Sequence, residues 1–240
     1  MGNGRLSYIR IPVRSDPKLF RFPIADQRTC IIGATGSGKT TCGVWLLTHQ
    51  RFDMRPWIIF DYKREILFEK VGTPPLQELR LGKLPRKGKK GVYLVSPRPD
   101  QDDAVEDMLW SIWHRGNIGV YIDEAALIPK GDAMRAILQQ GRSKLIPVIA
   151  LTQRPVDVDR RFFSEANFYA VFRLADARDY DIVRGFVPAE FRNPLPEYWW
   201  RWYDNSRNNL LTMRPVPAQA EIVSGMKGVI PFEWHPFRWW

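Results

Sequence analysis

The stretch Gly33-Ala34-Thr35-Gly36-Ser37-Gly38-Lys39-Thr40 constrains this chain of 240 residues more than any other, because it fits the pattern G-x-x-x-x-G-K-[ST] without a mismatch. Glycines at these positions permit backbone conformations that turn successive N–H groups inward, making a nest for phosphate oxygens. Before the loop, Thr29-Cys30-Ile31-Ile32 is a short apolar run of the kind a buried parallel strand leaves. After it, Cys42-Gly43-Val44-Trp45-Leu46-Leu47 carries apolar residues at helical spacing. Strand, glycine loop and helix follow in the order that a phosphate-binding unit requires, and the positive N-terminal end of the helix faces the same phosphates. Residues Gly33 to Thr41 therefore read as an ATP site. Lys39 is expected to reach the β- and γ-phosphates, and the Thr40 hydroxyl to ligate Mg²⁺.

Further apolar runs recur at intervals long enough for crossover helices: Trp57 to Phe60, Val92 to Val95, Val120 to Ile122, Val148 to Leu151 and Phe168 to Phe172. Helix-like stretches from Asp102 to Trp113 and from Asp132 to Gln140 lie between them. Strands alternating with helices predict an α/β fold with a mainly parallel central sheet covered on both faces. The organisation expected is an N-terminal arm (1–24, with a short alternating strand at Tyr8-Ile9-Arg10-Ile11), a P-loop ATPase core (25–185) and a C-terminal extension (186–240). That extension, rich in Pro, Trp and Arg without clear periodicity, reads as irregular structure packed on the core or on a neighbouring subunit. No run of about 18 apolar residues occurs, which predicts no transmembrane segment. The start of the chain lacks the apolar core of a signal peptide. Cys30 and Cys42 have no metal-ligand spacing and read as small buried hydrophobes.

Two more elements turn a binding loop into a hydrolytic site. Val120-Tyr121-Ile122-Asp123-Glu124 is an apolar strand ending in two carboxylates. Asp123 is expected to hold Mg²⁺ directly or through water, and Glu124 to orient or deprotonate the attacking water. In Ile149-Ala150-Leu151-Thr152-Gln153-Arg154-Pro155, a polar residue ends a parallel strand, where it faces the ligand crevice. Gln153 is expected to sense the γ-phosphate or to position the water.

Together, Gly33 to Thr40, Asp123-Glu124 and Thr152-Gln153-Arg154-Pro155 resemble the FtsK/HerA superfamily of RecA-like, DNA-pumping P-loop ATPases. Asp61, ending Ile58-Ile59-Phe60, and the segment from Phe172-Arg173-Leu174 to Asp179 add to the likeness. Among members of that superfamily, a chain this short is most similar to the genome-packaging ATPases of icosahedral viruses with an internal membrane. The resemblance implies a ring, expected to be a hexamer, that drives double-stranded DNA into a preformed capsid. It also implies action at a capsid vertex with capsid or membrane-associated proteins as partners, in the host cytoplasm and the virion. In a ring, an arginine from one subunit neutralises charge at its neighbour's site. Arg142, just before the Gln153 strand, is the first candidate, ahead of Arg154 and Arg173. A plasmid-transfer or replication helicase of the same superfamily, and a slow nucleotide-gated assembly scaffold, remain alternatives.

A formal net charge of +10, from 36 Lys and Arg against 26 Asp and Glu, is compatible with a polyanionic partner. The densest basic stretch, Lys83-Leu84-Pro85-Arg86-Lys87-Gly88-Lys89-Lys90-Gly91, predicts a loop suited to phosphate contacts as well as to plain solvation. The tryptophans near the C-terminus (Trp199, Trp200, Trp202, Trp234, Trp239 and Trp240) are expected to dock on a neighbouring subunit or capsid protein.

Overall fold

The computed structural model describes residues 20–73 and 75–230. The arm strand at Tyr8 to Ile11 and the residues Trp234, Trp239 and Trp240 lie outside the described residues. Six strands form in chain order where the apolar runs lie, β1 (Arg28–Ile32), β2 (Pro56–Phe60), β4 (Gly91–Val95), β5 (Gly119–Ile122), β6 (Val148–Thr152) and β7 (Phe168–Val171), and a seventh, β3 (Gln77–Glu78), is a short exposed polar pair that no apolar run marks. Between them run helices α1 (Lys39–Thr48), α2 (Ile66–Val71), α3 (Asp102–Arg115), α4 (Asp132–Gln140) and α5 (Arg161–Ser164), with α6 (Ala177–Val183) after β7. All seven strands pair in parallel.

The C-terminal segment is not irregular. Strands β8 (Trp200–Asp204) and β9 (Asn209–Met213) form a hairpin that joins the sheet antiparallel to β7, and helix α7 (Gln219–Val229) follows. The sheet runs β3-β4-β2-β5-β6-β1-β7-β8-β9. Burial on both faces explains why β8 escapes a reading by alternation. Trp200 and Trp202 enter the core on one face, while Tyr203 enters it on the other.

Side chains of successive strand residues point to opposite faces, and two apolar layers result. On one face Ile32, Ile58, Val120, Ala150 and Val171 pack under α3 and α4. On the other, Ile31, Ile59, Tyr121, Leu151 and Ala170 pack under α1, α2 and α7. Cys30 and Cys42 are buried and unpaired, and burial pushes both thiols well above their ordinary range. Among the described residues, no helix is long and apolar enough to cross a membrane.

Trp200 and Trp202 are 1% and 0% exposed, so neither indole is offered to a docking partner. Trp202 stacks on Phe168 at 5.0 Å between ring centroids, and Trp200 stacks on Phe172 at 5.7 Å. Aromatic pairs in these geometries add to the area they bury. They fix the hairpin against the last parallel strand. Trp202→Ala is expected to lower the unfolding free energy by about 3–5 kcal/mol, read from denaturant titration. A loss below about 1 kcal/mol, typical of a surface site, would remove the indole from the core.

Candidate active site

The glycine loop hangs between two neighbours of β1. The Gly33 amide donates to the Thr152 carbonyl at 3.2 Å, at the end of β6, and the Ala34 amide donates to the Arg173 carbonyl at 2.9 Å, just past β7. A Cβ on Gly33 would come within 2.6 Å of both Phe172 and Ser37, so only glycine lets the loop turn there. Gly36 and Gly38 adopt φ of +74° and +95°, in the left-handed region that other residues avoid. Gly38 caps α1 without a side-chain hydrogen bond, and no acidic residue occupies the first turn, which comprises Lys39, Thr40 and Thr41. The helix therefore presents its first amides and its positive end to the loop. Among the described residues, the amides of Gly36, Gly38, Lys39 and Thr40 donate to no backbone carbonyl. The buried Ser37 hydroxyl also lacks a partner there. Such a concentration of unused donors fits an anion with several oxygens. Lys39 is 5% exposed, and burial, then the Lys63 charge, lower its pKa from the ordinary lysine value.

Strands β2 and β5 are neighbours with Phe60 opposite Ile122, so the residues that follow each strand emerge side by side. Asp123 accepts hydrogen bonds from the Tyr62 amide at 3.1 Å and the Lys63 amide at 2.9 Å. Asp61 accepts from the Glu65 amide at 3.0 Å. Both carboxyl groups are buried. Burial raises the pKa of each. For Asp123 the adjacent Asp61 adds to the rise, against the two amides, and the value reaches about 7. Glu124 meets Lys63 Nζ through Oε2 at 2.5 Å and accepts from the Gln153 amide through Oε1 at 3.3 Å. The Gln153 Oε1 atom in turn accepts from the Thr35 hydroxyl at 2.6 Å. A continuous polar chain thus links Lys63, Glu124, Gln153 and Thr35 across the mouths of β2, β5, β6 and β1.

Two members of this cluster carry no signal in the sequence. Lys63 lies just past Asp61, but only the fold brings it onto Glu124. Glu65 places Oε1 3.5 Å from the Thr40 hydroxyl, although it belongs to no pattern. Arg142 lies elsewhere. It follows α4 at the amino end of β6, exposed, and pairs with Asp26 at 3.2 Å. A strand of five residues separates that edge from the glycine loop by roughly 16 Å. Arg154 is half-exposed and pairs with Asp157 and Asp176, while Arg173 is exposed beside the loop. The buried Asp179 accepts from the Val156 amide at 3.3 Å. Loop 83–91 leads into β4, also at the amino edge.

Asp123, Glu65 and the Thr40 hydroxyl are hard oxygen donors, the set that suits Mg²⁺. Among the described residues, no group of three or more His, Cys, Asp or Glu forms a metal cage.

A parallel sheet with a phosphate loop after β1, an acidic pair after β5 and a polar strand end on the intervening β6 defines a P-loop ATPase. Comparison with known proteins narrows the class. The chain is 38% identical to the DNA packaging ATPase P9 of Enterobacteria phage PRD1, over 85% of this chain and 93% of that protein. The chain belongs to this family of viral DNA-packaging ATPases. Among solved structures, it is similar to the genome packaging NTPase B204 from Sulfolobus turreted icosahedral virus 2 in complex with AMPPCP. That likeness has a TM-score of 0.63 and 19% identity, covering 81% of this chain and 100% of that one. It is also similar to EssC (ATPases 2 and 3) from Geobacillus thermodenitrificans, with a TM-score of 0.54 and 13% identity, covering 85% of this chain and 44% of that one. No protein-family profile matches the chain.

The buried acidic pair has a measurable signature. Because folding raises these carboxyl pKa values, their contribution to stability is complete below the ordinary carboxylate range of about 4 and is lost as pH rises through the raised values, about 7 for Asp123. In Asp61→Asn, the new amide donates to Asp123 while its carbonyl still accepts from Glu65. This variant is expected to melt higher than the wild type at pH 8 without ligand, with the gain shrinking toward pH 5. Equal pH profiles for the two proteins would show that the pair is not the source of the loss.

Proposed function

We propose that this chain hydrolyses ATP with Mg²⁺ to drive double-stranded DNA into a viral procapsid. The observation that carries the reading is the convergence of Lys39, Glu124 and Gln153 on one phosphate loop, with the Gln153 amide on Glu124 and the Gln153 side chain on Thr35. Gly33 to Thr41 cradles the triphosphate, and Lys39 neutralises its terminal charge. Thr40 and Asp123 would hold Mg²⁺, which would supply positive charge against that developing on the phosphates. Glu124 is the base for the attacking water. Its carboxylate meets Lys63 in this structure, so a catalytic geometry requires it to turn from the lysine toward the water. Gln153, bonded to the loop and to Glu124, orients that water.

The DNA assignment draws support from the family to which the chain belongs and from the charge of +10. Loop 83–91 is the proposed sequence-independent phosphate contact, and salt is expected to weaken it. A ring, hexameric in our reading, supplies Arg142 to a neighbour. Its position on the edge opposite its own loop suits a residue that acts on another subunit. Work at a capsid vertex, in the host cytoplasm and the virion, follows from this role.

Glu124→Gln is expected to retain ATP binding while hydrolysis falls about 100-fold or more. Virus carrying it should accumulate procapsids without DNA, and filled procapsids would refute the motor assignment. Duplex DNA should stimulate the wild-type ATPase, with the stimulation fading across a rising salt series.

A further inference from the structure

Gln153 is held at both ends. Its backbone amide donates to Glu124 Oε1 at 3.3 Å, and its side-chain Oε1 accepts from the Thr35 hydroxyl at 2.6 Å. A hydroxyl and a side-chain amide can meet in two ways, since the hydroxyl either donates to the oxygen or accepts from the nitrogen. A separation of 2.6 Å belongs to O–H···O contacts and is short for N–H···O, which centre near about 2.9 Å. The hydroxyl therefore donates, and the amide takes one of its two orientations. Among the described residues, the Nε2 atom at the other corner of the amide has no partner.

Nothing in the backbone calls for threonine at position 35. The pattern G-x-x-x-x-G-K-[ST] leaves the position open. Its φ is not positive, unlike the +74° of Gly36 beside it, and the exposed side chain packs no core. The two segments that the contact joins are each fixed on their own. Ala34 is tied to the Arg173 carbonyl, and the turn after β6 is closed by the Arg154 amide on the Thr152 hydroxyl at 3.2 Å. Thr35 also directly precedes the unused amides that begin at Gly36. The orientation of the Gln153 amide matters there, because phosphate oxygens only accept. An amide facing them with Oε1 repels them, whereas Nε2 can donate to a γ-phosphate oxygen and to the oxygen of an attacking water. Acceptance of the proton from that water is then left to Glu124.

We infer that Thr35 is a positioning residue for hydrolysis, whose hydroxyl holds the Gln153 amide with Nε2 toward the γ-phosphate. The inference rests on the reading of Gln153 as the residue that orients the attacking water. It gives one side chain of the glycine loop a task separate from that of the loop's backbone. Without the hydroxyl, the amide is free to turn its oxygen to an oxygen-rich ligand. ADP has no γ-phosphate, so its binding does not depend on the contact.

Hydrolysis rates at saturating ATP and titration with ADP, both with Mg²⁺, test the assignment. Thr35→Val keeps the branched shape and removes the hydroxyl. It is expected to hydrolyse about five- to tenfold more slowly, the worth of one neutral hydrogen bond, with ADP affinity unchanged. Thr35→Ser should recover most of the rate. Gln153→Ala is expected to be slow, and adding Thr35→Val to it should cost nothing more, because the hydroxyl acts only through the amide. A wild-type rate in Thr35→Val, no recovery in Thr35→Ser, or an undiminished further loss in the Gln153→Ala background overturns the inference and leaves the site standing. Weakened ADP binding in Thr35→Val also overturns it, by placing the side chain in the cradle itself. A Gln153→Ala protein that hydrolyses ATP at the wild-type rate removes the role of Gln153, and the inference with it.

Discussion

Everything in the site depends on how β1 is held between β6 and β7. The two amides that begin the glycine loop are tied to carbonyls at the ends of these two strands, so the loop leaves the sheet at a fixed height and direction. Among the described residues, the amides of Gly36 and Gly38 and the first two of α1, Lys39 and Thr40, are then left without backbone partners. Leaving donors unused is unfavourable for an isolated protein. It becomes useful only when an anion occupies the loop, and rigid anchoring on both sides keeps the donors from collapsing onto local acceptors.

Charge is concentrated in the same small region. Lys39, Asp61, Asp123 and Glu124 are all buried, and the balance among them is incomplete. Lys63 compensates Glu124 directly, whereas Asp61 and Asp123 face each other with backbone amides as their main support. Burial of like charges is sustainable because one proton serves both at moderate pH. The arrangement favours a cation or positive ligand over the metal-free state, and it shifts the acidic pair into the range where small changes in surroundings alter its charge.

Much of the core was legible because parallel strands buried on both faces leave nearly unbroken apolar runs. Val120 to Ile122 and Val148 to Leu151 are examples, and each ends at the residue facing the crevice. The stretches from Asp102 and from Asp132 begin α3 and α4 at those residues. Other features were hidden for physical reasons. In β8, Trp200, Trp202, Tyr203 and Asp204 are all buried, so no alternation marks the strand, and its tryptophans resemble an interface rather than a core. The placement of β6 between β1 and β5 is a fact of topology. So is the meeting of Lys63 with Glu124 and of Glu65 with Thr40, since nothing local distinguishes these residues from any other surface charge.

The stack of Trp200 on Phe172 has a wider meaning. Phe172 also packs against Gly33, so the hairpin near the end of the chain forms the rear wall of the loop near its beginning. A boundary drawn at residue 185 on composition would cut through this wall. The two segments are mechanically one part. A larger residue at position 172 or a smaller one at position 200 would alter the fit of the glycine loop, so the shape of the phosphate site is set in part by a side chain roughly 160 positions further along the chain.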